Sequence, residues 1–218
     1  YGFLMYALAA KSVGARPVAA PERAIATDVD ALLALTTART RLVFLANPNN
    51  PTGCLLPEAE VRRLHAGLPQ DVLLVLDAAY AEYVADADYR DGADLVRAND
   101  NVVMLRTFSK IYGLAALRIG WAYGPPDVID VLNRVRNPFN VNAPAQAAAL
   151  AALADRDHVA AGRAHNERWL PWFCDQLAAR GHQVLPSAGN FVLAHFGAAC
   201  DAVAAHLNRN GIIPRPMG

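Results

Sequence analysis

The chain has 218 residues, more than half of them apolar, enough to bury one large core or one and a half smaller ones. Twenty basic residues balance twenty acidic ones, which leaves no electrostatic footprint for nucleic acid or an anionic membrane. Three cysteines, Cys54, Cys174 and Cys200, are odd in number and lie outside any CxxC or Cys/His pattern; this argues against a zinc site or disulfide framework and fits a reducing, cytoplasmic setting.

In chain order, Thr27-Asp28-Val29-Asp30 reads as a helix N-cap with an acid three residues on, ahead of Ala31-Leu32-Leu33. The run Arg41-Leu42-Val43-Phe44-Leu45-Ala46 is a buried strand, closed by the turn residues Asn47-Pro48-Asn49-Asn50-Pro51-Thr52-Gly53. Pro57 opens a helix at its first position, with Val61, Leu64, His65 and Leu68 on one face. Residues 71–77 and 101–106 are two further strands, apolar as parallel strands are, and 117–123 is a candidate fourth. A helix runs from Pro126 through Leu132 and breaks near Asn137-Pro138. From Pro144 to about Arg180 the pattern is helical, with an interruption expected near Pro171. Its most apolar part, 143–154, is too short to span a bilayer and is broken by Gln146. Residues 183–185 and 190–193 are strand-like, and 201–210 is a helix stopped by Gly211. The early alternation of strand and helix argues for an α/β fold with a largely parallel sheet. That rhythm ends near residues 139–144, where a domain change is placed. The chain starts at Tyr1-Gly2-Phe3 with neither a charged leader nor a Met, which suggests that sequence precedes it.

Lysine is scarce: Lys11 and Lys110 stand against eighteen arginines. Lys11 reads as an ordinary surface residue. A lysine that survives such a bias can be kept for chemistry that arginine cannot do, such as a Schiff base. Around Lys110, four features end successive strands, where open α/β sheets bind ligands. Asn50 sits in the turn 47–53. Asp77 closes an otherwise apolar strand, with Tyr80 three residues on. Thr107, Ser109 and Lys110 follow the third strand, and Arg118 comes eight residues later. Singly these are a turn, a helix cap, loop hydroxyls and a structural arginine. Together they supply what pyridoxal phosphate needs: a lysine, an acid for the ring nitrogen, donors to the phenolic oxygen and a cationic phosphate cradle.

These segments resemble fold-type I aminotransferases of class I/II. The stretch from Arg106 through Thr107-Phe108-Ser109-Lys110 to Arg118-Ile119-Gly120 is closest to the histidinol-phosphate aminotransferase branch, as are 136–142 and 211–216. The resemblance implies a three-layer αβα large domain with a mainly parallel sheet (residues 1–140) and a smaller α+β C-terminal domain (141–218), both incomplete. It implies pyridoxal 5'-phosphate as cofactor and Lys110 as the catalytic residue, forming the Schiff base and shuttling a proton at Cα. It pairs Asp77 with the ring nitrogen, sets Asn50 and Tyr80 on the phenolic oxygen, and gives the phosphate to Thr107, Ser109 and Arg118. Tyr1 would stack on the ring and Arg215 would contact substrate. The implied reaction moves an amino group from L-histidinol phosphate to 2-oxoglutarate in a cytoplasmic homodimer. Related alternatives are an aromatic-amino-acid aminotransferase, a threonine-phosphate decarboxylase, or the non-catalytic sensor domain of a regulator. No GxGxxG or GxxxxGK follows a strand, which disfavours a nucleotide-binding domain. Two local departures are Ala78, where many relatives have an acid, and Pro214 before Arg215. Relatives also extend before Tyr1 and past Gly218, so the 218-residue chain alone is expected to be poorly active.

Overall fold

A computed structural model describes residues 2–217. Its centre is a four-stranded sheet of β1 (Leu42–Ala46), β2 (Leu73–Asp77), β3 (Val102–Thr107) and β4 (Gly120–Tyr123), neighbours in chain order. The first three strands are parallel and β4 is antiparallel to β3. The fourth strand starts at Gly120 rather than at Leu117, because residues 115–117 form a single 3₁₀ turn. A parallel β4 would need a crossover, and the short link after β3 carries no α-helix to make one.

Strand alternation assigns the two faces. Val43, Leu45, Leu74, Leu76, Val102 and Met104 join Val29 of α2 (Val29–Leu35), Val61 and Leu64 of α3 (Glu58–Gly67), and Leu95 and Val96 of α4 (Ala93–Ala98) in one core. On the opposite face, Phe44 stacks with Tyr6 of α1 (Leu4–Ser12), ring centroids 4.7 Å apart and planes 13° from parallel. Helices therefore cover both faces, the layering expected of an αβα domain. Leu64, Leu74 and Val102 are wholly buried, each stabilising the fold by about 1.5–3 kcal/mol.

Asp28, not Thr27, caps α2, accepting from the Ala31 amide at 3.1 Å. Asp30, the acid three residues after Thr27, instead pairs with Arg63 of α3 at 2.6 Å. Pro57 lies one residue outside α3, at its cap position.

Beyond the sheet come α5 (Pro126–Val135), α6 (Ala143–Ala154), α7 (Arg156–Ala178) and α8 (Cys200–Arg209). The helical stretch after Pro144 breaks at Asp155, not at Pro171. The Asp155 carboxylate accepts from the His158 amide at 2.9 Å and starts a new helix. Pro171 removes only one backbone donor, on an exposed part of the helix, and α7 runs through it. A small antiparallel pair, β5 (Gln183–Val184) and β6 (Ala194–His195), follows α7. Its second strand lies after the expected 190–193 stretch. The segment leading into that stretch is held elsewhere: the Ala188 amide donates to the Gly53 carbonyl at 2.8 Å, and the Asn166 side chain to the Gly189 carbonyl at 3.0 Å. Gly211, at φ +77°, follows the end of α8. Among the described residues no helix is long and apolar enough to cross a membrane.

Candidate functional site

The carboxyl ends of β1, β2 and β3 carry the turn 47–53, Asp77, and Phe108-Ser109-Lys110. The turn is pinned by its own side chains. Asn47 Oδ1 accepts from the Leu56 amide at 2.8 Å, and its Nδ2 donates to the Leu56 carbonyl at 3.0 Å. Asn49 Nδ2 donates to the Thr52 hydroxyl at 3.0 Å. Gly53 has φ +76°, and a Cβ there would sit 2.6 Å from Ser187 Cβ. Only glycine allows that backbone and that approach together.

Held in this turn, Asn50 donates from Nδ2 to the Tyr80 hydroxyl at 2.8 Å. Tyr80 is buried, and Lys110 Nζ lies 5.0 Å from its ring centroid. Phe191 meets the same ring edge-on at 5.1 Å. Residues following three strands thus converge on one phenol. Lys110 is half-buried and makes no hydrogen bond or ion pair among the described residues. An amine so placed is available to react.

Asp77 ends β2, paired in register with Ala46 of β1 and Leu105 of β3. Its Oδ1 accepts from the Ala79 amide at 3.1 Å, and its Oδ2 accepts from the Tyr6 hydroxyl at 2.6 Å. Burial, then the adjacent Asp77 charge, push the Tyr6 hydroxyl far above the ordinary tyrosine range. Tyr6 therefore remains a donor at any working pH.

Thr107 Oγ1 accepts from the Ser109 amide at 3.0 Å, which shapes the link between β3 and Lys110. Arg118 is exposed, in a left-handed backbone conformation at φ +52°, and donates to the Ala115 carbonyl at 2.7 Å. It makes no hydrogen bond or ion pair with Thr107, Ser109 or Lys110. Arg215 is exposed in the segment after α8 and pairs with none of these residues. Tyr1 lies outside the described residues. The structure thus brings Asn50, Tyr80 and Lys110 together, with Asp77 ending the strand between theirs. Arg118 and Arg215 do not join them.

Sequence reasoning did not find Tyr6, whose partner is 71 positions away; a lone phenol in an apolar helix carries no local signal. Nor did it find the ion network around Arg106. That guanidinium meets Glu82 at 2.6 Å and Asp91 at 2.5 Å, with Arg106 and Glu82 side chains only 14% and 8% exposed. Burial works to lower the Arg106 pKa, but the two acids outweigh it and the net direction is up. Tyr89 ties this neighbourhood to the turn, donating to the Asn47 carbonyl at 2.8 Å. Arg163 of α7 donates to the Glu82 carbonyl at 2.8 Å.

The model of the family described as aminotransferase class I and II matches residues 1–217. Two histidinol-phosphate aminotransferases, from Paramagnetospirillum magneticum and Rhodospirillum centenum, are 57% and 55% identical to the chain. Each alignment covers 100% of the chain and 61% of the relative, so the chain spans about three fifths of their length. The crystal structure of histidinol-phosphate aminotransferase from Sinorhizobium meliloti, in complex with pyridoxal-5'-phosphate, superposes with a TM-score of 0.92 at 33% identity. That match covers 98% of this chain and 59% of the other.

Proposed function

The chain belongs to the class I and II aminotransferases, and from that premise we propose that the whole protein moves an amino group between L-histidinol phosphate and 2-oxoglutarate, with pyridoxal 5'-phosphate as cofactor. The carrying observation is the convergence of Asn50, Tyr80 and Lys110, whose amine lies over the Tyr80 ring and makes no hydrogen bond or ion pair among the described residues, with Asp77 on the intervening strand. Its donor set fits the cofactor: an amine for the aldehyde, a carboxylate for the ring nitrogen, and an amide and a phenol for the ring hydroxyl. The names of the two relatives at 57% and 55% identity support the substrate.

When bound, the cofactor takes up the electron pair released at the substrate's Cα. Lys110 would hold the cofactor through its aldehyde and would carry the proton at the substrate's Cα. Asp77 keeps a proton on the ring nitrogen. Asn50 and Tyr80 orient the ring through its hydroxyl. Thr107, Ser109 and Arg118 bind the phosphate, which gives the exposed Arg118 guanidinium a partner other than its own backbone. Tyr1 stacks on the ring, and Arg215 contacts the substrate. Residues 1–140 belong to the cofactor-binding domain and 141–218 to the smaller domain, a division supported by their two separate sheets. The protein works as a homodimer in the cytoplasm.

The test mixes full-length, cofactor-loaded protein with single amino donors and follows the visible absorbance of the bound cofactor. Bleaching by histidinol phosphate, and not by tyrosine or phenylalanine, is expected. Bleaching by the aromatic amino acids alone, or carbon dioxide release from threonine phosphate, contradicts the substrate.

A further inference from the structure

We infer that Tyr6 is a positioning residue, acting through Asp77 to fix the carboxylate that meets the cofactor's ring nitrogen. The inference rests on the proposed role of Asp77. A carboxylate has two oxygens and about four lone-pair sites. In this structure one site on each oxygen is filled: Tyr6 donates to Oδ2 at 2.6 Å, and the Ala79 amide to Oδ1 at 3.1 Å. Donors on both oxygens fix the rotation of the carboxylate plane and leave a lone pair on each for a ring N–H.

The phenol is itself held. Its ring stacks on Phe44 at 4.7 Å, and Phe3 closes edge-on at 5.6 Å. Phe44 stands two residues before Ala46, the register partner of Asp77, so ring and carboxylate share a face of the sheet. Packing on Phe44 and Phe3 holds the ring, and the hydroxyl is aimed beyond it at Asp77. No residue of α1 is fully buried, and Leu4, Met5 and Leu8 on the same helix are about half exposed. The hydroxyl reaches an ionisable group at the centre of the proposed chemistry, and hydrogen bonds to charged oxygens are the strong ones. A partner behind the contacting group sets its orientation, as outer-sphere partners do for metal ligands.

The experiment measures the affinity of full-length apoprotein for two probes: pyridoxal phosphate and its 1-deaza analogue, whose ring nitrogen is replaced by carbon. Tyr6→Phe keeps the stack and loses the hydroxyl. It is expected to weaken pyridoxal phosphate about tenfold and to change the deaza analogue by less than about twofold, because that ring offers Asp77 no N–H. Tyr6→Met, without ring or hydroxyl, is the second variant, so the comparison does not depend on one substitution folding. Tyr6→His, which keeps a ring and an N–H donor, is expected to recover part of the preference for the nitrogen-containing ring. Equal weakening of both probes makes Tyr6 merely structural and overturns the inference. So does an unchanged preference, or tighter binding of pyridoxal phosphate, which would make Tyr6 a competitor for Asp77. Unmodified protein that binds neither probe fails at the earlier step, overturning the cofactor assignment and this inference with it.

Discussion

Helix α3 spans ten residues and buries Val61 and Leu64 against the parallel sheet, whereas α7 spans twenty-three and buries none. The difference lies in what each helix has to lie on. The segment 29–107 folds onto a three-stranded parallel platform and fills one face with Val, Leu and Met. Among the described residues the segment after Gly124 carries the two-residue strands β5 and β6, and several of its large side chains are open: Val135 is 71% exposed, Trp172 51% and Phe173 46%. Helix length and apolar content alone therefore do not bury side chains; a facing partner does. The candidate site lies where the two regions meet. The packed region supplies Asn50, Asp77, Tyr80 and Lys110, and the open one reaches it through Phe191 on Tyr80 and residues 187–188 on Gly53.

This contrast can be broken by denaturant unfolding of variants in each region. The largest loss belongs to Arg106→Ala, about 4 kcal/mol, because it takes the guanidinium from the buried Glu82 carboxylate and from the partly exposed Asp91. Leu74→Ala, at a side chain with no exposure, is expected to cost about 3 kcal/mol. Asp28→Ala removes the α2 cap and costs about 1 kcal/mol. Trp172→Ala in this chain, at a half-exposed ring that meets Trp169 edge-on at 5.4 Å, is expected to cost about 1 kcal/mol despite its size. If Trp172→Ala costs as much as Leu74→Ala, α7 is packed and the contrast fails. If Arg106→Ala is mild, the ion network does not hold the site's surroundings.

Much of the packed region is readable from local pattern. The three apolar runs before Asn47, Ala78 and Phe108 became β1, β2 and β3, and the turn chemistry of 47–53 became the loop that presents Asn50. Pattern weakened where local rules compete. Asp155 overrode Pro171 because a side chain that captures an amide starts a new helix, whereas one missing donor need not stop an exposed one. The strand expected at 190–193 moved because Gly53 and Asn166 hold the segment leading into it. In the site, Lys110, Asp77, Asn50 and Tyr80 were visible through residue type at strand ends. Tyr6 and the Glu82–Arg106–Asp91 network were not, since long-range hydrogen bonds leave no periodicity. Arg118 was visible as a cation, but its present contact with the Ala115 carbonyl was not.

The most direct test of the central assignment is chemical. Full-length protein is loaded with pyridoxal phosphate, reduced with borohydride, digested and analysed by mass spectrometry. A phosphopyridoxyl group is expected on the peptide containing Lys110, absent from Lys110→Ala. A stable label on Lys11 or elsewhere with Lys110 unmodified, or no label on any peptide, contradicts the assignment.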